Sequence, residues 1–155
     1  MTVRGAKYFE DFEEGESVHT ATRTMTEADI VNFCSLTGDW NQLHSSEPFA
    51  GDSHMGERVF AAPQVFAYAV GLVGRTNILE GTVKAILGFD DFTFHVPVHI
   101  GDTISVVATV TEKAESGDRF SDDAGRLTVE YDIRNGDDET VGVGNIRVLV
   151  FKRDA

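Results

Sequence analysis

The chain contains 155 residues, 41% of them hydrophobic, and this length and composition favour one globular domain with an apolar core. Its formal net charge of −13 at pH 7 argues against nucleic acid or an anionic membrane surface as a partner. The only cysteine, Cys34, excludes an internal disulfide and any metal site that needs several thiolates. No apolar run is long enough to span a bilayer and residues 1–15 lack the pattern of a signal peptide, so we expect a cytoplasmic protein without membrane insertion.

The excess of carboxylates allows two interpretations. Asp and Glu number 26, against 13 Lys and Arg. Such a surface repels itself at low ionic strength and is relieved by salt, which indicates a salt-adapted, halophilic protein. An ordinary acidic protein has the same composition, and the sequence alone favours neither interpretation.

After a short strand at residues 17–23, the first half of the chain has helical periodicity. Thr26 suits an N-cap, Asp29 stands at the third position of a capping box, and Gly38 can end this helix. A second helix is predicted to begin near Pro63, with the proline at the first helical position, and to continue through QVFAYAVGLVGRT. Because its apolar residues surround the helix axis, we expect it to be buried on most sides.

The second half of the chain changes to the period of β-strands. Four segments alternate β-branched or aromatic residues with polar ones: FTFHVPV (92–98), TISVVATVT (103–111), RLTVEYDI (126–133) and TVGVGNIRVLVF (140–151). Turn residues follow at 101–102 and 135–137, and residues 112–125 read as a hairpin connection. Helices that precede strands favour an α+β fold with an antiparallel sheet, which is expected to wrap around the apolar helix.

One stretch, TGDWNQLHSSEPFA (37–50), places Asp39, Asn41 and His44 within six positions. The spacing of Asp39 and His44 corresponds to about 140° on an α-helix and to opposite faces of a strand. Only an irregular loop would bring both side chains to one atom, and a helix end at Gly38 would supply it. On composition and spacing alone, a polar turn with a structural histidine is the favoured interpretation.

The segment FCSLTGDWNQLHSSEPFA resembles the hydratase-2 motif of the MaoC-like dehydratases, the (R)-specific enoyl-CoA hydratases of the hot-dog fold. In that motif an aromatic, an aliphatic and a small residue precede Gly-Asp, and Asn-Pro, an aliphatic residue, His and a later small residue follow. The matching positions are Phe33, Leu36, Thr37, Gly38, Asp39, Asn41, Leu43, His44 and Ala50. YFEDFEEGE (8–16) and FTFHVPVHIGDTI (92–104) are similar to other segments of the family, so the resemblance extends over most of the chain.

The resemblance implies one hot-dog domain over residues 1–155, which forms a homodimer or a higher homo-oligomer. It also implies reversible hydration of trans-2-enoyl-CoA to (R)-3-hydroxyacyl-CoA, with neither a cofactor nor a metal. Asp39 and His44 would activate a water between them, and Asn41 would orient the pair. The backbone N–H that polarises the thioester carbonyl in the family would belong to Gln64, because a helix N-terminus favours negative charge. The sequence does not decide which of Asp39 and His44 removes the proton from water.

Two positions depart from the family pattern. Gln42 replaces the usual Pro, which removes a fixed φ from the loop, and Pro63-Gln64 stands where the family often has His-Gly. These departures keep open the alternative of an acyl-CoA-binding subunit with weakened catalysis. A second alternative is a hot-dog acyl-CoA thioesterase, which would share the fold but hydrolyse the thioester.

The remaining reactive side chains are interpreted as structural. Cys34 has apolar neighbours and reads as a buried thiol, and Gly142 and Gly144 suggest a bulge in a strand. Metal-ligand spacing is absent from His19, His54, His95 and His99, and a nucleophile elbow is absent around Ser45, Ser46 and Ser53. The phosphates of coenzyme A would need cations, for which the sequence offers, without preference, Arg58, Arg75, Lys84 and Arg119.

Overall fold

The computed structural model describes residues 4–117 and 122–155. Its elements in chain order are a 3-10 helix (Phe9–Asp11), β1 (Ser17–His19), β2 (Arg23–Thr24), α1 (Glu27–Thr37), α2 (Gln42–Ser45), α3 (Glu47–Asp52), α4 (Ala62–Gly74), β3 (Val83–Phe94), β4 (Thr103–Glu115), β5 (Ala124–Arg134) and β6 (Thr140–Phe151). Within the described ranges, no helix has the length and apolar character needed to cross a membrane.

The strands form one antiparallel sheet in the order β1-β4-β5-β6-β3, and β2 also pairs with β4. One face of this sheet packs on α4. The shared hydrophobic cluster joins helix residues Val65, Ala69, Leu72 and Val73 to strand residues that include Ile104, Val106, Leu127, Ile133, Ile146 and Val148. The predicted α+β arrangement, an antiparallel sheet around a central helix, is therefore confirmed.

The local signals predicted for α1 are confirmed. Thr26 and Asp29 form a capping box, in which each side chain accepts the backbone N–H of the other residue. Gly38 ends the helix at φ 77°, in the left-handed region that glycine adopts without strain. Cys34 is buried, and burial raises the pKa of its thiol, as does the nearby Asp39 carboxylate. The predicted burial of this thiol is confirmed.

Several predicted strand boundaries need correction. The strand predicted at 17–23 is divided into the short β1 and β2. β3 begins at Val83 and ends at Phe94, so it starts nine residues before the predicted segment and leaves residues 95–98 outside the strand. Register shifts interrupt its pairing with β6 at three places, and each shift reverses the alternation of faces on which the prediction depended. β4 and β5 form the predicted hairpin, but their pairing extends as far as Glu115 and Gly125.

The central helix differs from its prediction in two ways. Pro63 occupies the second helical position rather than the first, because the helix begins at Ala62. The expectation of burial on most sides is wrong for a single chain, since Ala67 and Gly71 are exposed. The sheet covers only one side of α4, and the exposed side adjoins the edge strand β3, whose Phe89 and Phe92 pack against Phe66 of the helix.

Gly142 adjoins an irregularity in β6, as the sequence predicted, because β6 has one extra residue between Thr140 and Gly142 in its pairing with β5. A second extra residue lies in β3, between Asp90 and Thr93, where Asp91 has φ 55°. Both glycines also make room for aromatic rings. A Cβ at Gly142 would lie 2.7 Å from the ring of Phe94, and a Cβ at Gly144 would overlap the ring of Phe92. Cross-strand packing on these glycines therefore holds both rings beside α4.

We expect Gly144→Ala to lower the free energy of unfolding by about 1–3 kcal/mol, because the new methyl group displaces Phe92 from a packed position. Denaturant unfolding monitored by circular dichroism measures the change. Gly136→Ala is the matched control, since a Cβ there meets no atom within 4 Å. Equal stabilities of the two variants would contradict this role for Gly144.

Candidate active site

The segment after α1 brings Asp39 and His44 close together. Asp39 follows the Gly38 helix end, and its Oδ1 accepts the backbone N–H of Asn41 at 3.3 Å. Asn41 is the N-cap of α2, and its side-chain Oδ1 accepts the Leu43 N–H at 3.0 Å. His44 thus lies on a one-turn helix and Asp39 lies before it, so part of the predicted loop is helical.

Gln42 does not prevent this geometry. It is the first residue of α2, where proline is favoured but not required, and its side chain is exposed. The cap by Asn41 forms α2 without the fixed φ of the family proline.

The imidazole of His44 is held in one orientation. Its Nδ1 lies 2.6 Å from the carbonyl oxygen of Val59. Because a carbonyl only accepts, Nδ1 carries the proton in the neutral ring and the lone pair lies on Nε2. Nε2 is 3.9 Å from Oδ2 of Asp39, a gap longer than a direct hydrogen bond. The side chain of His44 is 13% exposed and that of Asp39 is 49% exposed, so solvent reaches the pair from the aspartate side.

A cavity of about 410 Å³ opens beside His44. Its walls come from residues 43–44, 59–63 and 94–98, with Met55, Val65 and Val141. Among the described residues of this lining, only His44 and His95 have polar side chains. The cavity is therefore an apolar space with one oriented imidazole in its wall, and a second imidazole on the exposed His95.

The expectation for Gln64 needs correction. Its backbone N–H donates to the carbonyl of Ala61 at 2.9 Å, so this donor is already used. Its side chain is buried and donates from Nε2 to the carbonyl of Asp29 at 2.7 Å, away from the cavity. Since α4 begins one residue before Pro63, the first helical N–H, which has no acceptor within the helix, belongs to Ala62. Ala62 also lines the cavity, which Gln64 does not.

The Gln64 side chain belongs to a buried polar network between α4 and α1. Asp29 receives hydrogen bonds from Tyr68 at 3.1 Å and from Arg23 at 2.6 Å. Burial alone would raise the pKa of Asp29, but hydrogen bonds from Thr26 and Tyr68 and the charge of Arg23 outweigh burial and lower it. This network fixes the first turn of α4 against the helix that leads to Asp39.

The other predicted side chains lie elsewhere or have structural partners. The hydroxyls of Ser45 and Ser53 donate to backbone carbonyls, and Ser46 is the N-cap of α3. Within residues 4–117 and 122–155, no three His, Cys, Asp or Glu side chains converge on a possible metal position. Lys84 pairs with Asp123 and Arg58 pairs with two glutamates, whereas Arg75 is exposed at the end of α4. Arg119 lies outside the described residues.

A six-stranded antiparallel sheet packed on one long helix is the architecture of a hot-dog protein. The sequence matches the family described as MaoC like domain over residues 11–131. The chain belongs to this family.

Named relatives support the assignment. The chain is 38% identical over 117 residues to the protein MaoC of Klebsiella aerogenes, a match that covers 76% of this chain and 34% of that protein. It is 33% identical over 108 residues to the (R)-specific enoyl-CoA hydratase of Rhodospirillum rubrum, covering 67% and 69% of the two chains. A solved structure from Archaeoglobus, described as a monoamine oxidase regulatory protein, is 32% identical with a TM-score of 0.88 and covers 98% and 99%. This chain thus spans about a third of the length of the Klebsiella protein.

Proposed function

We propose that this protein catalyses the reversible hydration of trans-2-enoyl-CoA to (R)-3-hydroxyacyl-CoA. The observation that carries the proposal is the 3.9 Å gap between Nε2 of His44 and Oδ2 of Asp39. Both atoms are acceptors when the imidazole is neutral, because the Val59 carbonyl holds the ring proton on Nδ1. One water can donate a hydrogen to each acceptor and still present its own lone pair to a substrate carbon.

The chemistry uses both acceptors. The water oxygen bonds to the β-carbon of the enoyl thioester, and the π electrons move toward the carbonyl oxygen to give an enolate. The proton lost by the water passes to one of the two acceptors, and the Asp39–His44 pair then delivers a proton to the α-carbon as the enolate collapses, which returns the pair to its starting protonation state. Removal of water from the hydroxyacyl thioester follows the same steps in reverse. The geometry is compatible with either residue as the initial base.

The enolate oxygen needs a hydrogen-bond donor, and we assign this role to the Ala62 N–H. Ala62 is the first residue of α4 and lies in the cavity wall, so its N–H has no acceptor within the helix. The positive end of the helix dipole also favours negative charge at this position. Asn41 is a positioning residue in this proposal, since it caps α2 and bonds to Asp39.

The alternative of a binding subunit with weakened catalysis depended on Gln42 and Gln64. Gln42 takes an ordinary helical position and Gln64 lies outside the cavity, so neither side chain obstructs it. The relative from Rhodospirillum rubrum named as an (R)-specific enoyl-CoA hydratase supports hydration over thioester hydrolysis.

One assay separates the three functions. Purified protein is mixed with crotonyl-CoA, the enoyl absorbance is followed, and free thiol is measured in parallel. We expect absorbance loss without thiol release, and an (R)-configured product in chiral analysis. Thiol release would indicate a thioesterase, and retained binding without either signal would indicate a binding subunit.

We further propose that two copies of the chain associate through β3 and the exposed side of α4. β3 is an edge strand of 12 residues whose Ile86 and Phe89 are about half exposed. A long apolar edge strand is a template for pairing with another chain. A groove formed by Ala62, Pro63, Phe66, Phe89, Phe92 and Phe94 continues this apolar surface to the helix. Coverage by a second copy would bury a surface that water contacts in the single chain.

We expect Phe89→Asp to convert the dimer to a monomer, because pairing would bury an unpaired carboxylate. Size-exclusion chromatography with light scattering measures the mass. Val31→Asp is the matched control, since Val31 is also an exposed apolar residue but lies on α1. A variant mass equal to that of a dimeric wild type, or a monomeric wild type, would contradict the proposed interface.

A further inference from the structure

Residues 58–60 connect several elements around the candidate site. The Val59 N–H donates to the carbonyl of Leu43 at 3.1 Å, and the Val59 carbonyl accepts from His44. The Phe60 N–H donates to the carbonyl of Val98 at 2.8 Å, on the opposite wall of the cavity. Ala61 and Ala62 follow directly and begin α4. The position of this short segment therefore sets both the orientation of His44 and the start of the central helix.

The side chain of Arg58 anchors this segment on its other side. Nε donates to Oε1 of Glu47 at 2.6 Å, and Nη2 donates to Oε1 of Glu27 at 2.7 Å. Glu27 begins α1 and Glu47 begins α3, so one guanidinium joins the two helices that flank α2. The Arg58 side chain is 10% exposed, whereas both glutamates are more than half exposed.

The shape of the guanidinium matters for this connection. Its planar fork presents separate N–H groups in fixed directions, so it donates to two carboxylates at once. A lysine at this position would keep the charge but would offer one flexible ammonium, which cannot hold the same geometry. Because Arg58 is nearly buried and uses its donors on these carboxylates, it is also a poor candidate for binding the phosphates of coenzyme A.

We propose that Arg58 is a positioning residue for the reaction, which acts on His44 through the Val59 carbonyl by fixing residues 58–60 between α1 and α3. The inference rests on the proposed hydration for its kinetic consequence but not for its structural one. With the segment fixed, the Val59 carbonyl keeps the His44 proton on Nδ1 and Nε2 aimed at Asp39. Without the anchor, the carbonyl moves, and the second tautomer of His44 becomes populated.

The test compares wild type with Arg58→Gln and Arg58→Lys. We expect Arg58→Gln to lower kcat for crotonyl-CoA about 100-fold and Arg58→Lys to lower it about tenfold, with KM changed less than threefold in both. Arg147→Gln is the matched control, because it removes a surface Arg–Asp pair on the sheet and should retain wild-type kcat.

A second readout does not need turnover. Long-range proton–nitrogen NMR spectra, recorded at alkaline pH where imidazole is neutral, report which ring nitrogen of His44 carries the proton, and His44→Ala assigns the signals. We expect the Nδ1–H form in wild type and a mixture in Arg58→Gln. Unchanged His44 signals, or an unchanged kcat in an active enzyme, would overturn the inference. If wild type fails to hydrate crotonyl-CoA, the proposed function fails, while the NMR comparison still tests Arg58.

If Arg58→Gln does not fold, a variant of its two exposed partners, Glu27 and Glu47, replaces it in the test. The double substitution Glu27→Gln and Glu47→Gln weakens both partners of Arg58 without removing a buried side chain. We expect the same change in the His44 spectrum, to a smaller extent. Wild-type spectra in this variant would contradict a role for the two ion pairs.

Discussion

Replacing His44 with alanine is expected to lower kcat/KM for crotonyl-CoA by about 10³-fold, because the variant has no acceptor for one of the two water hydrogens. Asp39→Asn should have an effect of similar size, since an amide keeps the shape of the side chain but cannot take a proton. The loss should appear in kcat rather than in KM, because neither group contacts the apolar part of the substrate in the proposed arrangement. Loss of enoyl absorbance at saturating crotonyl-CoA measures it.

His54→Ala is the matched control for His44→Ala. His54 is an exposed histidine after α3, and its removal should leave kcat unchanged. Retention of more than a tenth of wild-type kcat/KM by His44→Ala or Asp39→Asn would contradict the catalytic assignment.

The second large effect is expected from Ala62→Pro, which deletes a single N–H. Proline is well tolerated at the first position of a helix, and Ala61 already has the extended conformation (φ −63°, ψ 138°) that suits a residue before proline. The helix should therefore form, while the enolate oxygen loses its donor. We expect kcat to fall about 10²–10³-fold, the usual result of removing one such donor.

Stability separates this effect from misfolding. The melting temperature of Ala62→Pro should stay within a few degrees of wild type, and Ala62→Ser, which retains the N–H, should remain active. A wild-type kcat in Ala62→Pro would show that another group donates to the enolate oxygen, and this would contradict the assignment to Ala62.

The sequence was most informative where a structural element depends on adjacent residues. The capping box of Thr26 and Asp29 and the helix end at Gly38 were predicted because their partners lie within four residues. The bounds of β6 were predicted at 140–151 because its pairing with β5 is regular over most of its length. In each case the signal and the structure it predicts occupy the same short segment.

Predictions were less successful where distant contacts set the geometry. The length of β3 was underestimated because register shifts against β6 break the alternation of its side chains between the two faces of the sheet. The oxyanion donor was assigned to Gln64 because this residue stands at the position of the family glycine, but its N–H donates to the Ala61 carbonyl. The Val59 carbonyl that orients His44 lies 15 residues away, and Arg58 and Glu27 are 31 residues apart, distances at which spacing carries no signal.

His95 was interpreted from the sequence as a structural histidine. In the structure it lines the cavity. It follows the end of β3, directly before the Val96-Pro97 segment, and it is exposed in the cavity lining. The signal available in the sequence was its place within the family segment FTFHVPVHIGDTI (92–104) rather than any ligand spacing.

The central claim is that Asp39 and His44 act together on one water, and a double-mutant cycle tests it most directly. The kcat values of wild type, Asp39→Asn, His44→Ala and the double variant are measured with saturating crotonyl-CoA. If both side chains hold the same water, either substitution already removes the arrangement, so the double variant should be no more than about tenfold slower than the slower single variant. Losses that multiply in the double variant, about 10⁶-fold in total, would show that the two residues act independently and would contradict the account.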